Sequence, residues 1–439
     1  AAYVVRGLRL AQQSGVSVRS DVLNRAAEWL RKHLVEAEDR PDLQAWLLHA
    51  VCSLHTRNAD VAPEVTAAVE NLWAKRDSLS SYGRALFALS VQWLGDGEKA
   101  QVLARNLHDS AARDDQPGVS QATGVGQPDE NAVPTVHWGN ESTFLRWQDS
   151  GVEATAFALQ ALLAIDPKSE LIEPAMNWLV KNRRGAQWSN TRDTAISVLA
   201  MNRYLVATGQ LGEKVSFSVE VNGEPVGEVK DAGVLDGQTQ FAVDRKLLRS
   251  GANEIALKRT AGDGPVYFSA RAEFFTLEEP IPPAGNEIFA KREYFRYDPK
   301  LTLLDGYRFD RIVWGDGEEA ASNQRVQVVL TIEAKNDLEY LVFEDLKPAG
   351  LEAVDVRSGE FLTAEGPDGK RLPVYCELRD RKIALFLRNL PQGVWTIRYD
   401  LRTEMAGDFS ALPVVGHAMY VPEIRCNSTS RRVKIGAAR

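Results

Sequence analysis

Cys52 lies between His49 and His55. A cysteine beside an imidazole is the arrangement that thiolate chemistry uses, because the thiolate is the nucleophile and a nearby base produces it. On a helix His49 and Cys52 are i, i+3 neighbours, but no third group is in place to orient the imidazole. Cys52 therefore reads as a small buried hydrophobe, and so do Cys376 and Cys426. The three cysteines are far apart, and their spacing fits neither a disulfide framework, a zinc site nor a Cys-x-x-Cys pair. A second histidine, His137, sits beside an aromatic in Val136-His137-Trp138-Gly139-Asn140, where a surface or packing role is the expectation. The residues from which a sugar-cleaving site could be drawn are Glu153, Asp193, His137, Asn140 and Tyr82. Such a site needs paired carboxylates, or an Asn/His/Tyr/Arg set, converging on one cleft. Aromatic sugar platforms beside them are not obvious. Asp193, with Thr191 and Thr194, opens a predicted helix, where capping of exposed amides accounts for the cluster. No cofactor is expected. Asn140-Glu141-Ser142 and Asn427-Ser428-Thr429 are glycosylation sequons.

The 439 residues suffice for several domains, and 44% hydrophobic with 26% charged residues describes a globular protein. A net charge of −8 and the lack of a basic patch speak against nucleic acid. No apolar run is long enough to span a bilayer. Ala1-Ala2-Tyr3-Val4-Val5 reads as an apolar element already in progress, without an initiator Met or signal peptide, so the expectation is a piece of a longer protein.

The elements that must position these side chains change character near residue 211. Before it, apolar residues recur at helical spacing. One set of predicted helices, 2–13, 43–55, 81–94, 152–165 and 192–207, is rich in Ala, Leu and Val with few charges. A second set, 21–35, 61–75, 98–109 and 169–182, is charged on one face and apolar on the other. Ser20-Asp21 and Pro63 are start signals, and Gly15, Gly95 and Gly209 are stop signals. Low-charge helices alternating with amphipathic ones, at a period of about 40 residues, predict an inner and an outer layer: an α/α toroid over 1–211. Trp29, Trp46, Trp73, Trp93 and Trp178 are expected to pack in its core. Residues 109–150, rich in Gly, Pro, Asp, Gln and Ser, interrupt the pattern as a long loop.

From about 213 the period becomes two. Val215–Val221 alternates cleanly and ends at Asn222-Gly223, a hairpin signal, and further strands are expected at 226–230, 238–243, 253–259 and 265–275. This small β-domain, 212–280, is short for a complete sandwich. Pro280, Pro282, Pro283 and Gly285 form a linker. The last part, 286–439, carries strands at 325–332, 339–345, 382–387, 395–401 and 432–435, the pattern of a β-sandwich. The fold class is thus multidomain α and β, an α/α toroid followed by two antiparallel β-sandwich-type domains.

Specific strings in this order resemble the C-terminal part of the α2-macroglobulin family. They are Ala2-Tyr3-Val4-Val5-Arg6-Gly7-Leu8-Arg9-Leu10-Ala11 followed by Ala26-Ala27-Glu28-Trp29-Leu30, and then Gln187-Trp188-Ser189-Asn190-Thr191-Arg192-Asp193-Thr194-Ala195. Ser250-Gly251-Ala252-Asn253 and Gly264-Pro265-Val266-Tyr267-Phe268-Ser269 follow. Asp345-Leu346-Lys347-Pro348-Ala349-Gly350-Leu351-Glu352 and Met419-Tyr420-Val421-Pro422-Glu423-Ile424-Arg425 resemble the terminal domain of the bacterial branch, a source in which the sequons would be idle.

The resemblance implies a thioester-type helical domain, a β-domain and a terminal sandwich of a protein that traps proteases rather than turning over a substrate. In that family a Cys-x-Glu-Gln motif forms an internal thioester, shielded from water until proteolysis exposes it. Here Cys52 is followed by Ser-Leu-His, Cys376 by Glu-Leu-Arg and Cys426 by Asn-Ser-Thr, so this chain supplies no thioester, no metal site and no catalytic residue. The implied partners are proteases, met through the full-length parent; the implied location is periplasmic or extracellular, with any membrane anchor in the parent's N-terminus. Two rivals share the architecture: a polysaccharide lyase or glycoside hydrolase built on Glu153 and its neighbours, and a non-catalytic adhesion or scaffold module.

Overall fold

The computed structural model describes the chain apart from residues 55–60, 127–131, 140–150, 184–186, 234–235, 237–238, 265, 267, 269, 271–276, 303–305, 355 and 438–439. A helical N-terminal part is followed by extensive β-sheet. Contacts divide the chain into two compact units. The first takes in Ala1–Ala112, Val136–Gly139 and the described part of 146–273; the second takes in the described parts of 113–135 and 274–439.

The low-charge helices of the first unit are α1 (Ala2–Gln13), α3 (Pro41–Leu54), α5 (Ser81–Leu94), α7 (Gly151–Ile165) and α9 (Thr191–Ala207), and the amphipathic ones are α2 (Ser20–Glu36), α4 (Pro63–Ala74), α6 (Gly97–Asp109) and α8 (Ile172–Lys181). Each low-charge helix packs on the next, α1 on α3, α3 on α5, α5 on α7 and α7 on α9. The amphipathic helices flank this row, α2 against α1 and α3, α6 against α5 and α7, α8 against α7 and α9. The composition explains the layering. Helix α5 buries every residue from Ser81 to Val91 except Arg84, and α7 buries every residue from Glu153 to Leu162, so neither tolerates a charged face. Helix α2 buries only the stripe Leu23, Ala27, Leu30 and Leu34. Gly95 closes α5 at φ +88°, a left-handed conformation that glycine adopts without a Cβ clash.

Two of the tryptophans expected in the core are not there. Trp29 is 45% exposed and Trp93 38%. Trp29 lies a helical step of about 100° away from the Leu30 row, and its ring stacks instead on His33 at 3.7 Å. Trp178 is buried, while Trp46 and Trp73 are partly buried against the same core. Within the expected long loop Val136 and Trp138 enter the helical core, and Trp138 Nε1 donates to the Leu107 carbonyl at 2.7 Å.

Three strands complete this unit, β1 (Lys214–Val221), β2 (Glu224–Gly233) and β3 (Ile255–Ala261), with β1 central and antiparallel to both. Asn222 and Gly223 join β1 to β2 with φ of +53° and +86°, the pair of positive angles that a tight hairpin of matching twist needs. No strand forms at residues 239–243, where the alternation predicts one; Phe241 instead lies against Gly227 of β2. Residues 266, 268 and 270 are also outside any strand, and the rest of the strand expected over 265–275 lies outside the described residues.

The second unit is built on β4 (Ile288–Thr302), β5 (Gly306–Val313), β6 (Arg325–Ala334), β7 (Leu338–Leu346), β8 (Leu351–Val354), β9 (Phe361–Glu365), β10 (Arg371–Leu378), β11 (Lys382–Leu390), β12 (Gly393–Thr403), β13 (Gly407–Ala411), β14 (Val414–Ala418), β15 (Val421–Asn427) and β16 (Arg431–Ile435). A continuous hydrogen-bonded path runs β15-β14-β7-β11-β10-β9-β12-β6-β4-β5, and β13 pairs with β16 separately. Strand β6 lies between β12 and β4, with Leu330 opposite Ile397 on one side and Arg292 on the other. Inward-facing Val326, Val328, Leu330 and Ile332 join Leu341, Phe343, Leu385, Trp395, Ile397 and Leu401 in one core.

That core contains a charge. Arg292 donates to the Asp345 carboxylate, both side chains 1% exposed, and also to the carbonyls of Ala411 at 3.1 Å and Leu412 at 2.7 Å. Tyr399 donates its hydroxyl to the other Asp345 oxygen. A buried ion pair recovers its desolvation cost only when its remaining polar atoms are satisfied, and the two carbonyls and the phenol do most of that here.

Candidate functional site

The first turns of the low-charge helices bring their polar residues together. Tyr3 comes from α1, Asp42 and Trp46 from α3, Tyr82 from α5, Glu153 from α7, and Arg192 with Asp193 from α9. Arg192 Nε donates to Glu153 Oε1 at 2.8 Å, and its NH2 group pairs with the second carboxylate oxygen. The same NH2 group lies 3.3 Å from the Tyr82 hydroxyl, and the guanidinium stands 5.9 Å from the Tyr3 ring centre. Tyr82 packs edge-on against Phe157 at 5.6 Å, and Trp46 is 6.3 Å from both Tyr3 and Tyr82. The result is an aromatic-walled polar cluster built from five helices.

Local sequence explains how each member is held. Asn190 caps α9, its side-chain oxygen accepting from the amides of Arg192 and Asp193 at 2.9 Å each. Capping thus accounts for this helix start, but Asn190 performs it, and Asp193 accepts from the Asn190 side-chain amide at 2.9 Å. Asp42 accepts from the Ser80 amide at 3.1 Å just before α5. It can approach because residue 83 is glycine: a Cβ there would stand 1.9 Å from Asp42 Oδ1.

The electrostatics of the cluster are dominated by burial. Glu153 is 1% exposed, and burial pushes its carboxyl up to about 7 against the opposing pull of Arg192, with Asp193 adding to the rise. Burial also holds the Tyr82 hydroxyl above its ordinary range, Glu153 reinforcing it. Desolvation works against the Arg192 charge, but Glu153 and Tyr82 together more than offset it, and Arg192 keeps its proton more firmly than usual.

Of the five residues that could have made a sugar-cleaving site, Glu153, Tyr82 and Asp193 are brought to this cluster. His137 is elsewhere, buried and stacked on Trp178 at 4.9 Å. Asn140 lies outside the described residues, as does His55. His49 and Cys52 are both buried on α3; Cys52 faces Ser90, and burial lifts its thiol to about 12. Cys426 is lifted to about 12 in the same way, and Cys376 is also raised. Residue types alone did not single out Arg192. The signal available was its position: Tyr3, Asp42, Tyr82, Glu153 and Arg192 all fall in the first turn of a low-charge helix. Among the described residues no group of three or more His, Cys, Asp or Glu side chains could hold a metal ion.

Comparison with known proteins points in one direction. Residues 290–423 match the family described as Bacterial Alpha-2-macroglobulin MG10 domain. Over 285 residues the chain is 27% identical to an alpha-2-macroglobulin homolog of Nostoc sp., covering 63% of this chain and 14% of that protein. It is 22% identical to alpha-2-macroglobulin of Escherichia coli, covering 99% of this chain and 24% of that protein. The chain therefore spans under a quarter of the length of these relatives. Among solved structures, native alpha-2-macroglobulin from Escherichia coli, spanning domain MG7 to the C-terminus, matches 99% of this chain and 62% of that one, with 15% identity and a TM-score of 0.36. The trypsin-activated Escherichia coli protein matches 99% of this chain and 27% of that one, with 14% identity and a TM-score of 0.37.

Proposed function

We propose that this chain, which belongs to the bacterial alpha-2-macroglobulin family, is the helical and terminal β portion of a broad-spectrum protease trap. The observation that carries this reading is the MG10 match over 290–423 within a chain that aligns along 99% of its length with one alpha-2-macroglobulin. Residues 1–211 form a thioester-type α/α toroid, 212–280 a small β-domain and 286–439 the terminal sandwich. Support for the toroid comes from the ends of the inner row. Helices α1 and α9 leave Val4, Val198 and Val206 between 53% and 60% exposed, and further inner helices of the parent would cover them.

The action is mechanical. A protease cuts the parent elsewhere, the parent rearranges, and the protease is enclosed; this chain supplies frame and no turnover. Glu153 is held on both oxygens by Arg192, an arrangement suited to bracing helices and ill suited to proton transfer. Covalent capture would require a Cys-x-Glu-Gln in the parent outside these 439 residues. A periplasmic or extracellular location suits the partners, and among the described residues no helix is long and apolar enough to cross a membrane.

The test uses the full-length parent and several proteases of unrelated specificity. Cleavage should give a faster native-gel species and a smaller radius of gyration. No change with any protease would overturn the trap. Glycan turnover abolished by Glu153→Gln would overturn it in favour of an enzyme.

A further inference from the structure

One turn deeper than the Glu153 cluster, the first unit holds a second polar group of opposite character. Arg6 of α1 and His49 of α3 are 6% and 7% exposed, and the Arg6 NH1 group bonds His49 Nε2. Arginine has only donors, so His49 Nε2 is the acceptor and the imidazole proton sits on Nδ1. That tautomer leaves two buried donors, Arg6 Nε–H and His49 Nδ1–H, with no hydrogen-bond partner. Among the described residues none accepts from either donor, and the nearest neighbours are aromatic. Phe157 meets His49 edge-on at 6.0 Å and lies under Arg6 at 5.9 Å, and Trp46 stacks on His49 at 6.0 Å. The charge is also unbalanced. Among the described residues no carboxylate pairs with Arg6, and Arg203, exposed on α9, adds a second guanidinium whose field reaches both Arg6 and His49. Burial and the two cations keep His49 neutral.

An unpaired buried cation costs several kcal/mol on ordinary grounds, and unmade bonds at buried donors add to that. Every missing element here is of one kind: a negative charge with oxygen lone pairs. We propose that Arg6, His49 and Arg203 form an oxyanion-binding site between α1, α3 and α9, and that its ligand is a carboxylate. Arg6 Nε–H and His49 Nδ1–H supply directed donors, Arg203 a second positive charge, and Trp46 and Phe157 an aromatic wall. The inference is independent of the protease-trap reading, because it rests on atoms of this chain alone.

The experiment titrates the chain with sodium acetate, and separately with inorganic phosphate, at ionic strength held constant with chloride. Thermal midpoint and the His49 Nδ1–H resonance in long-range imidazole 1H–15N spectra are followed. Acetate should raise the midpoint saturably and move the Nδ1–H resonance downfield. Arg6→Met should weaken the apparent affinity at least tenfold. Arg203→Gln, at an exposed position, should weaken it several-fold. Equal responses in the wild type and both variants would reduce the effect to general salt and overturn the proposal; so would no response to either anion in the folded wild type. The same spectra on the longer parent identify the source of the carboxylate. A persisting acetate response marks a free anion. A His49 Nδ1–H already at its bound position, with no response, marks a side chain of the parent. Neither a response nor a shifted resonance in the parent would again overturn the site.

Discussion

Arg192 reaches from the first turn of α9 to Glu153 in the first turn of α7, its Nε–H donating to Oε1 at 2.8 Å. The contact fastens two neighbouring low-charge helices at one end, where a carboxylate would otherwise stand alone in the core. Even so, burial outweighs the attraction, and the Glu153 carboxyl titrates near 7 rather than at its ordinary 4.5.

That displacement sets a pH dependence with a definite sign. Below 4.5 Glu153 is protonated whether the chain is folded or not; between 4.5 and about 7 the unfolded chain releases a proton that the folded chain keeps. Stability of the helical unit therefore falls as pH rises through that window, by up to about 3 kcal/mol. Glu153→Gln removes the titration. The difference in unfolding free energy between wild type and variant, from urea denaturation at pH 4.5, 6 and 7.5, should fall steadily; a difference that stays flat would sink the idea.

Gly83→Ala should run against the usual rule. Replacing glycine by alanine in a helix interior ordinarily stabilises by about 1 kcal/mol. Here the added methyl meets Asp42 Oδ1, which is engaged with the Ser80 amide. Forcing that carboxylate aside should turn the gain into a loss of about 1–3 kcal/mol. Chemical denaturation of the variant with and without Asp42→Ala separates the clash from helix propensity: the second change should restore the ordinary gain.

The helices were legible because their composition and their physics agree. Runs such as Ala154–Leu163 carry no charge because they have no wet face, and the predicted ranges match the observed helices to within a few residues. The hairpin at Asn222-Gly223 was legible from its turn chemistry. Strand β4 was not, because its inward positions include Arg292, and a buried cation breaks the apolar alternation by which a strand is recognised. Asp345, its partner, sits 53 residues away on β7, where no local pattern shows the pairing. The Glu153 cluster was half legible: the carboxylate and Tyr82 stood out by type, while Arg192 needed the helices to be laid side by side. Trp29 misled because size suggests burial while helical phase decides it.

The Arg292–Asp345 pair predicts a non-additive result. Asp345→Ala leaves a guanidinium buried without its counter-charge and should destabilise the β unit by about 3–5 kcal/mol. Arg292→Met/Asp345→Leu removes both charges and should cost far less than the two single changes combined, perceptibly so even though Tyr399 loses its acceptor. Thermal unfolding of the two singles and the double gives the coupling. Strict additivity would show that the pair contributes nothing as a pair.

Neighbouring residues on α2 should respond very differently to truncation. Leu30 is 0% exposed and in the core cluster, so Leu30→Ala should cost about 2–5 kcal/mol. Trp29 is itself 45% exposed and contributes a ring stacked on the partly exposed His33, so Trp29→Ala should cost under about 1 kcal/mol despite removing far more atoms. Denaturation midpoints at equal m-value settle the order, and a larger loss at Trp29 would contradict the observed helix phase.

Thiol chemistry tests whether this chain could take part in covalent capture by itself. Cys52, Cys376 and Cys426 are 2%, 0% and 4% exposed, and burial lifts Cys52 and Cys426 to about 12. At pH 8 a thiol of that pKa is ionised to roughly one part in ten thousand, and the thiolate is the reacting form. A disulfide reagent should therefore label almost nothing in the native protein and three thiols per chain in guanidinium chloride. Incubation with methylamine should leave the mass of the chain unchanged, because no cysteine here is followed by x-Glu-Gln. Prompt native labelling at Cys52, located by peptide mapping, would mean that α3 opens readily and that its histidine neighbour activates a thiol. The packing of Cys52 against the α5 side of the core, with Ser90 as its polar neighbour, argues for the opposite outcome.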